Sequence, residues 1–214
     1  MRHVVFDLDG TLVDSLPGIA EGLNRALTLL VRPTRSPQEI RGMVGRGARM
    51  LCAEALGGAP PEEDVTALLS AFGKEYPLTW EAGTVPYPGI PGMLERLVAQ
   101  GKRLAVLSNK PHEVTVPLVA QVFPHIPFDF VFGYSNRFPR KPDPASLLSI
   151  VSSWHVEPAE VAMVGDSVHD ARTARAAGTQ LGLVAWGYSG DAGLSSEDAP
   201  VFETANELET WLTD

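Results

Sequence analysis

The sequence predicts an α/β fold: a Rossmann-like parallel sheet core with helices on both faces, plus an inserted α-helical cap. Three observations carry this. From residue 90 onward, short β-branched apolar runs alternate with helical patterns, the arrangement of a parallel sheet whose crossovers are helices. One more such run stands at the start of the chain. Between the two, from about 14 to 85, every pattern is helical and none is a strand.

Taken in order, His3–Asp7 reads as a short buried strand that stops at acids and a glycine. Pro17–Val31 carries leucines and alanines at helical spacing, and Ser36–Met43, Gly47–Leu56 and Glu62–Tyr76 continue as helices. Ser36-Pro37-Gln38-Glu39 is a helix start, with serine as cap, proline in the first turn and glutamate three residues on. Val85-Pro86-Tyr87-Pro88-Gly89 is turn-forming and reads as a linker. Ile90–Gln100 is helical and ends at Gly101, a C-terminal cap. Strands follow at Arg103–Leu107, Phe128–Phe132, Val161–Val164 and Leu181–Ala185. Helices follow at Pro111–Val122, Pro144–His155, Ala171–Ala177 and Thr204–Leu212. The domain division expected is a core of residues 1–14 and 87–214 and a helical cap of residues 15–86. The two crossings are hinge candidates.

The composition is that of an ordinary globular chain: 214 residues, 44% of them hydrophobic and 20% charged, which argues against disorder. The formal net charge of −9 would repel a phosphate backbone, so no nucleic-acid partner is expected. Cys52 is the only cysteine, which rules out an intrachain disulfide and suits a reducing cytoplasm. Residues 1–10 lack a signal-peptide apolar region, and no apolar run is long enough to span a bilayer, so no membrane partner is expected.

In open α/β sheets, ligands bind beyond the carboxyl ends of the strands. The first strand delivers Asp7-Leu8-Asp9-Gly10-Thr11 there, the next Ser108-Asn109-Lys110, and the one at Val161–Val164 delivers Gly165-Asp166-Ser167 with Asp170 one turn on. Asp7 and Asp9 are two apart, the same-side spacing of a strand. Carboxylates so close are tolerated when a cation lies between them or one takes a proton. Oxygen ligands from Asp7, Asp9 and Asp166 suit Mg²⁺. A lone Asp-x-Asp is ordinarily a solvated turn; Asp166 and Asp170 behind a second buried strand weigh against that. Ser108 and Asn109 read as the start of a helix, either a site for phosphate oxygens or an ordinary cap. Lys141, stiffened by Pro142 and Pro144, is either aimed at the site or part of a solvated basic turn.

These segments together resemble the four motifs of the haloacid dehalogenase superfamily, over essentially the whole chain: Asp7-Leu8-Asp9-Gly10-Thr11-Leu12, Ser108-Asn109-Lys110, Lys141-Pro142, and Gly165-Asp166-Ser167-Val168-His169-Asp170. The helical insertion after the first motif resembles that family's C1-type cap. The resemblance implies that Asp7 is a nucleophile that becomes an aspartyl phosphate, and that Asp9 is the acid for the leaving oxygen and then the base for water. It implies that Ser108 and Lys141 hold the phosphoryl oxygens, with Asn109 beside them. It implies Mg²⁺ as cofactor, held by Asp7, Asp166 and the backbone carbonyl of Asp9, with Asp170 in support. An aspartate at position 9 favours phosphoryl transfer over dehalogenation.

Within the superfamily the chain looks like the phosphoglycolate phosphatase branch, on Pro86-Tyr87-Pro88-Gly89, Ser108-Asn109-Lys110-Pro111, Pro139-Arg140-Lys141-Pro142-Asp143-Pro144 and Trp186-Gly187-Tyr188-Ser189-Gly190. The implied reaction is Mg-dependent hydrolysis of a small phosphate monoester, 2-phosphoglycolate first, to glycolate and phosphate. Alternatives on the same chemistry are a pyrophosphatase, a sugar-phosphate phosphatase or a phosphomutase; a non-catalytic metabolite-binding regulator is the alternative of a different class. In Gly45-Arg46-Gly47, Arg46 is either a reader of the substrate carboxylate or a solvated surface arginine. Trp186 and Tyr188 are placed to shape the floor beneath the metal site. The partner expected is a small phosphorylated metabolite, the oligomeric state monomer or homodimer, and the compartment the cytoplasm.

Overall fold

The computed structural model describes residues 1–189 and 198–214. Among these, six strands form one sheet in the order β5-β4-β1-β6-β7-β8. They are β1 (His3–Phe6), β4 (Arg103–Pro111), β5 (Phe128–Tyr134), β6 (Val161–Gly165), β7 (Gln180–Val184) and β8 (Val201–Phe202). Every pairing in it is parallel. The α/β class read from alternating runs is thus the observed one. The sheet is parallel because each crossover between neighbours is long enough to hold a helix.

The order places β1 in the middle. The chain moves outward from β1 through β4 to β5, then returns to the other side of β1 with β6 and continues to β8. The direction of winding therefore reverses at β1, and at such a reversal the loops beyond the carboxyl ends part to leave a crevice. Phe6 is level with Val106 on β4 and Val164 on β6, so Asp7 emerges beside the ends of both. Val4, Val5 and Phe6 are wholly buried, as a strand covered on both faces requires.

The crossovers are α5 (Ile90–Ala99), α6 (His112–Val122), α7 (Ala145–Trp154) and α8 (Val168–Ala177), with α9 (Ala205–Thr213) closing the chain. One face of the sheet packs Val5, Ala105, Leu107 and Met163 against Leu147, Ile150 and Trp154 of α7 and Ala174 of α8. Gly101 and Gly178 follow α5 and α8 in the left-handed region, at φ of +76° and +74°, where glycine carries no Cβ penalty.

The chain divides into two compact units, Met1–Val13 with Pro86–Asp214, and Asp14–Val85. The second unit holds α1 (Leu16–Leu29), α2 (Pro37–Met43), α3 (Ala48–Leu56) and α4 (Glu62–Glu75). Its core is built from Ile19, Leu23 and Leu27 on α1, Ile40 on α2, Leu51, Cys52 and Ala55 on α3, and Val65, Leu68 and Phe72 on α4. The cap of α2 is reciprocal: Ser36 Oγ accepts from the Glu39 N–H at 3.3 Å, and the Ser36 N–H donates to Glu39 Oε2 at 2.8 Å. The segments at the two crossings, β2 (Val13–Asp14) and β3 (Val85–Pro86), pair with each other as a short ribbon.

Two local readings are corrected. The strand expected to end at Leu107 runs to Pro111, so Ser108 and Asn109 lie in β4 and do not open a helix; α6 starts only at His112. The cause is side-chain capping chemistry that reads alike in a strand end and a helix start. Helix α8 begins at Val168, three residues before the apolar pattern that announced it, because its first turn is held by Ser167 and Asp170.

Candidate active site

The carboxyl ends of β1, β4 and β6, with the loop before α7, bring the chemistry-bearing residues of the core unit together. Asp7 leaves β1 with its N–H donating to Val164 O at 2.8 Å, so its backbone still belongs to the sheet. Its side chain accepts from the Leu8 N–H at 2.7 Å. Beyond it the chain turns at Gly10, whose φ of +84° and close approach to the Asp166 carboxylate leave no room for a Cβ.

Lys141 is the hub. Its Nζ lies 2.7 Å from Asp7 Oδ1 and 2.6 Å from Asp170 Oδ1, and the side chain is 2% exposed. Its backbone is held by Asn109, whose Oδ1 accepts from the Lys141 N–H at 2.8 Å and whose Nδ2 donates to Lys141 O at 3.1 Å. The side-chain amide of Asn109 is thus a strut from β4 to Lys141, a use that no local pattern announced. Ser108, buried beside it, accepts through Oγ from the Lys110 N–H at 3.2 Å.

Asp166, on the end of β6, accepts from the Tyr188 N–H at 2.6 Å. Trp186 Nε1 donates to Thr11 O at 3.1 Å, tying the loop after β7 to the loop after β1. Gly190, the last residue of that segment singled out in the sequence, lies outside the described residues. Asp170 sits in the first turn of α8, where its Oδ2 accepts from the Ser167 N–H at 3.1 Å and from Ser167 Oγ at 2.6 Å. Gly165 and Gly187 are tight for the same reason: a Cβ on Gly165 would strike Asp170, and one on Gly187 would strike Asp166.

Asp7, Asp166 and Asp170 each offer an oxygen within 4.8 Å of the others, and all three residues are buried. Burial pushes the Asp166 carboxyl up to about 7, helped by the Asp170 carboxylate and opposed by the Tyr188 N–H and Lys141. Burial likewise raises Asp7, against the pull of Lys141 and with the push of Asp170 and Asp166. Burial works to lower Lys141, but the Asp170 and Asp7 carboxylates outweigh it and hold the ammonium above its ordinary value. Three clustered buried carboxyls, two of them on one ammonium, carry excess negative charge when ionised. All-oxygen donors with excess negative charge fit a hard divalent cation.

Asp9 stands apart from this trio. Its carboxylate lies on Lys110, Nζ to Oδ2 at 3.0 Å, with both side chains nearly buried. Arg46 belongs to the second unit, half-exposed, with its Nη2 2.6 Å from Glu54 Oε2. His112 Nδ1 accepts from the Gly133 N–H at 3.2 Å, and its ring packs on Phe138. Cys52 is buried, and burial pushes its thiol up to about 12, so it is packing rather than chemistry.

Comparison with known proteins gives a consistent picture. The family model for haloacid dehalogenase-like hydrolases matches residues 1–178. A phosphoglycolate phosphatase of Rhodospirillum rubrum is 38% identical over 99% of this chain and 90% of its own. Phosphoglycolate phosphatase 1 of Pseudomonas aeruginosa is 34% identical over 96% of this chain and 76% of its own. Among solved structures, a candidate phosphoglycolate phosphatase from Lactobacillus delbrueckii subsp. bulgaricus superposes with a TM-score of 0.93 at 28% identity, covering 99% of this chain and 98% of that one.

Proposed function

The chain belongs to the haloacid dehalogenase-like hydrolases, and from that premise we propose that it is a Mg²⁺-dependent phosphatase acting on 2-phosphoglycolate, releasing glycolate and phosphate. One observation carries the reading: Asp7, at the reversal point of the sheet, meets Lys141 and two further acids in a buried cluster. The near-full-length relatives named phosphoglycolate phosphatase support the substrate.

The chemistry follows from the residues. An Asp7 oxygen attacks phosphorus while Lys141, on the same carboxylate, offsets the charge that gathers on the phosphoryl oxygens. The ester P–O bond breaks, and Asp9 gives its proton to the departing oxygen, leaving Asp7 as an aspartyl phosphate. Asp9 then takes a proton from water as the water oxygen attacks phosphorus, and the Asp7 carboxylate is released. Ser108 offers a hydroxyl to the phosphoryl oxygens, and Asn109 keeps Lys141 in place. Asp7, Asp166 and the Asp9 carbonyl would hold Mg²⁺, with Asp170 supporting, and the ion when bound neutralises the negative charge shared by nucleophile and phosphate. Burial of this charge explains the need: two anions cannot approach in a low-dielectric pocket without a cation.

Arg46 is our candidate for the substrate carboxylate, and the working compartment is the cytoplasm. Among the described residues, no helix is long and apolar enough to cross a membrane. The test is phosphate release from 2-phosphoglycolate, pyrophosphate and sugar phosphates with Mg²⁺, by the parent and by Arg46→Ala. We expect the highest kcat/KM on phosphoglycolate. Removing Arg46 should lower it about tenfold while changing stability by less than about 1 kcal/mol, since the Arg46–Glu54 pair is solvent-exposed. A higher kcat/KM on pyrophosphate or a sugar phosphate would reassign the substrate; an unaffected Arg46→Ala would release Arg46 from it.

A further inference from the structure

Three carboxylates of the core site are shared between two buried lysines, and the sharing is uneven. Lys141 takes Asp7 and Asp170, at 2.7 and 2.6 Å. Lys110 takes Asp9, at 3.0 Å, with side-chain exposures of 5% and 11%. The clustered cation-ligand oxygens are those of Asp7, Asp166 and Asp170, and the Asp9 carboxylate is not among them. The reason lies in β4. Its extension past Leu107, where the register against β5 shifts, carries Ser108 and Lys110 to the mouth of the sheet. The Lys110 backbone is pinned there by Ser108 Oγ, which accepts its N–H, and by Thr115 Oγ1, which donates to its carbonyl at 3.2 Å.

We propose that Lys110 is a positioning residue for Asp9: its ammonium fixes the Asp9 carboxylate away from the cation cluster and in one orientation, so that once ionised this side chain takes the proton of the attacking water and does not ligate the cation. The inference rests on the phosphatase reading above. Its physical content is that a carboxylate only two residues from Asp7 would otherwise be drawn to the same cation. A paired ammonium in a site of low exposure gives it a competing, directional partner. A proton carrier must be placed to within a fraction of an ångström of its donor or acceptor, so loss of that partner acts on the chemical step and not on binding.

The experiment compares the parent, Lys110→Met, Lys110→Arg, Asp9→Asn and the Asp9→Asn/Lys110→Met double variant, on 2-phosphoglycolate with saturating Mg²⁺. Lys110→Met should lower kcat about 10- to 100-fold with KM within about twofold. Lys110→Arg should recover most of that loss. In the Asp9→Asn background, Lys110→Met should cost no more than about twofold further, because the residue through which it acts is already gone. Lys110→Gln replaces methionine if circular dichroism shows that Lys110→Met does not fold. The inference is overturned by losses that multiply in the double variant, by a raised KM with kcat kept, or by an arginine no better than methionine. A parent inactive on every phosphate ester would sink the phosphatase reading and this inference with it. An active parent with multiplying losses would sink this inference alone.

Discussion

At the scale of single residues, the site is organised by who holds whom. Asn109 spends both ends of its amide on the backbone of Lys141, so the lysine is aimed by a neighbour far away in sequence. Asn109→Ala should therefore cost about 2 kcal/mol of stability, two buried hydrogen bonds, and lower kcat about tenfold by loosening Lys141. Urea denaturation and phosphate release read the two effects. Stability lost with kcat unchanged would mean that the strut supports the fold and not the chemistry. The acids are legible in the sequence because they stand at or just beyond the ends of β-branched runs, and Lys141 because Pro142 and Pro144 stiffen the segment that follows it. The role of Asn109 and the Lys110–Asp9 pair are not, because both are contacts between distant segments and leave no local spacing to read.

At the scale of elements, legibility followed the strength of the local pattern. The runs at Val161–Val164 and Arg103–Leu107 are short and mostly apolar and read as strands. The end of β4 reads as a helix start because Ser108 and Asn109 are cap formers, and the parallel neighbour that pairs with Pro111 lies elsewhere in the chain. Strand β8 is two residues long, too short to alternate, and the Val13–Asp14 and Val85–Pro86 ribbon is no longer. The turns between elements carry the tightest constraints. Gly165 ends β6 where a Cβ would occupy the space of the Asp170 side chain. Gly165→Ala should displace Asp170 from Lys141, lowering phosphate release at least tenfold and the melting temperature with it. A fully active, equally stable Gly165→Ala would refute that account of the turn.

At the scale of the molecule, the fold gathers buried acids at one sheet edge, and stability must respond to pH and to cations. Below about pH 4, folded and unfolded chains both hold Asp166 protonated. Between there and about 7 the folded chain keeps a proton that the unfolded chain has released, so this group's contribution to stability falls as pH rises through that window. Asp7, raised for the same reason, acts with the same sign. A divalent cation binds the ionised form, and its stabilisation grows over the same range. The gain in Tm on adding Mg²⁺ to EDTA-treated protein should be larger at about pH 8 than at about pH 5.5. An equal or larger gain at the lower pH would place the cation elsewhere or remove it from the account.

We propose Asp7 as the nucleophile whose carboxylate oxygen takes the phosphoryl group. This is tested most directly by mixing the protein with 2-phosphoglycolate labelled at phosphorus, quenching in acid within the first turnovers, and locating the label by peptide mapping. An acyl phosphate on Asp7, released by hydroxylamine, is expected, and neither label nor turnover in a folded Asp7→Asn variant. Label on another residue, or normal phosphate release by Asp7→Asn, would contradict it.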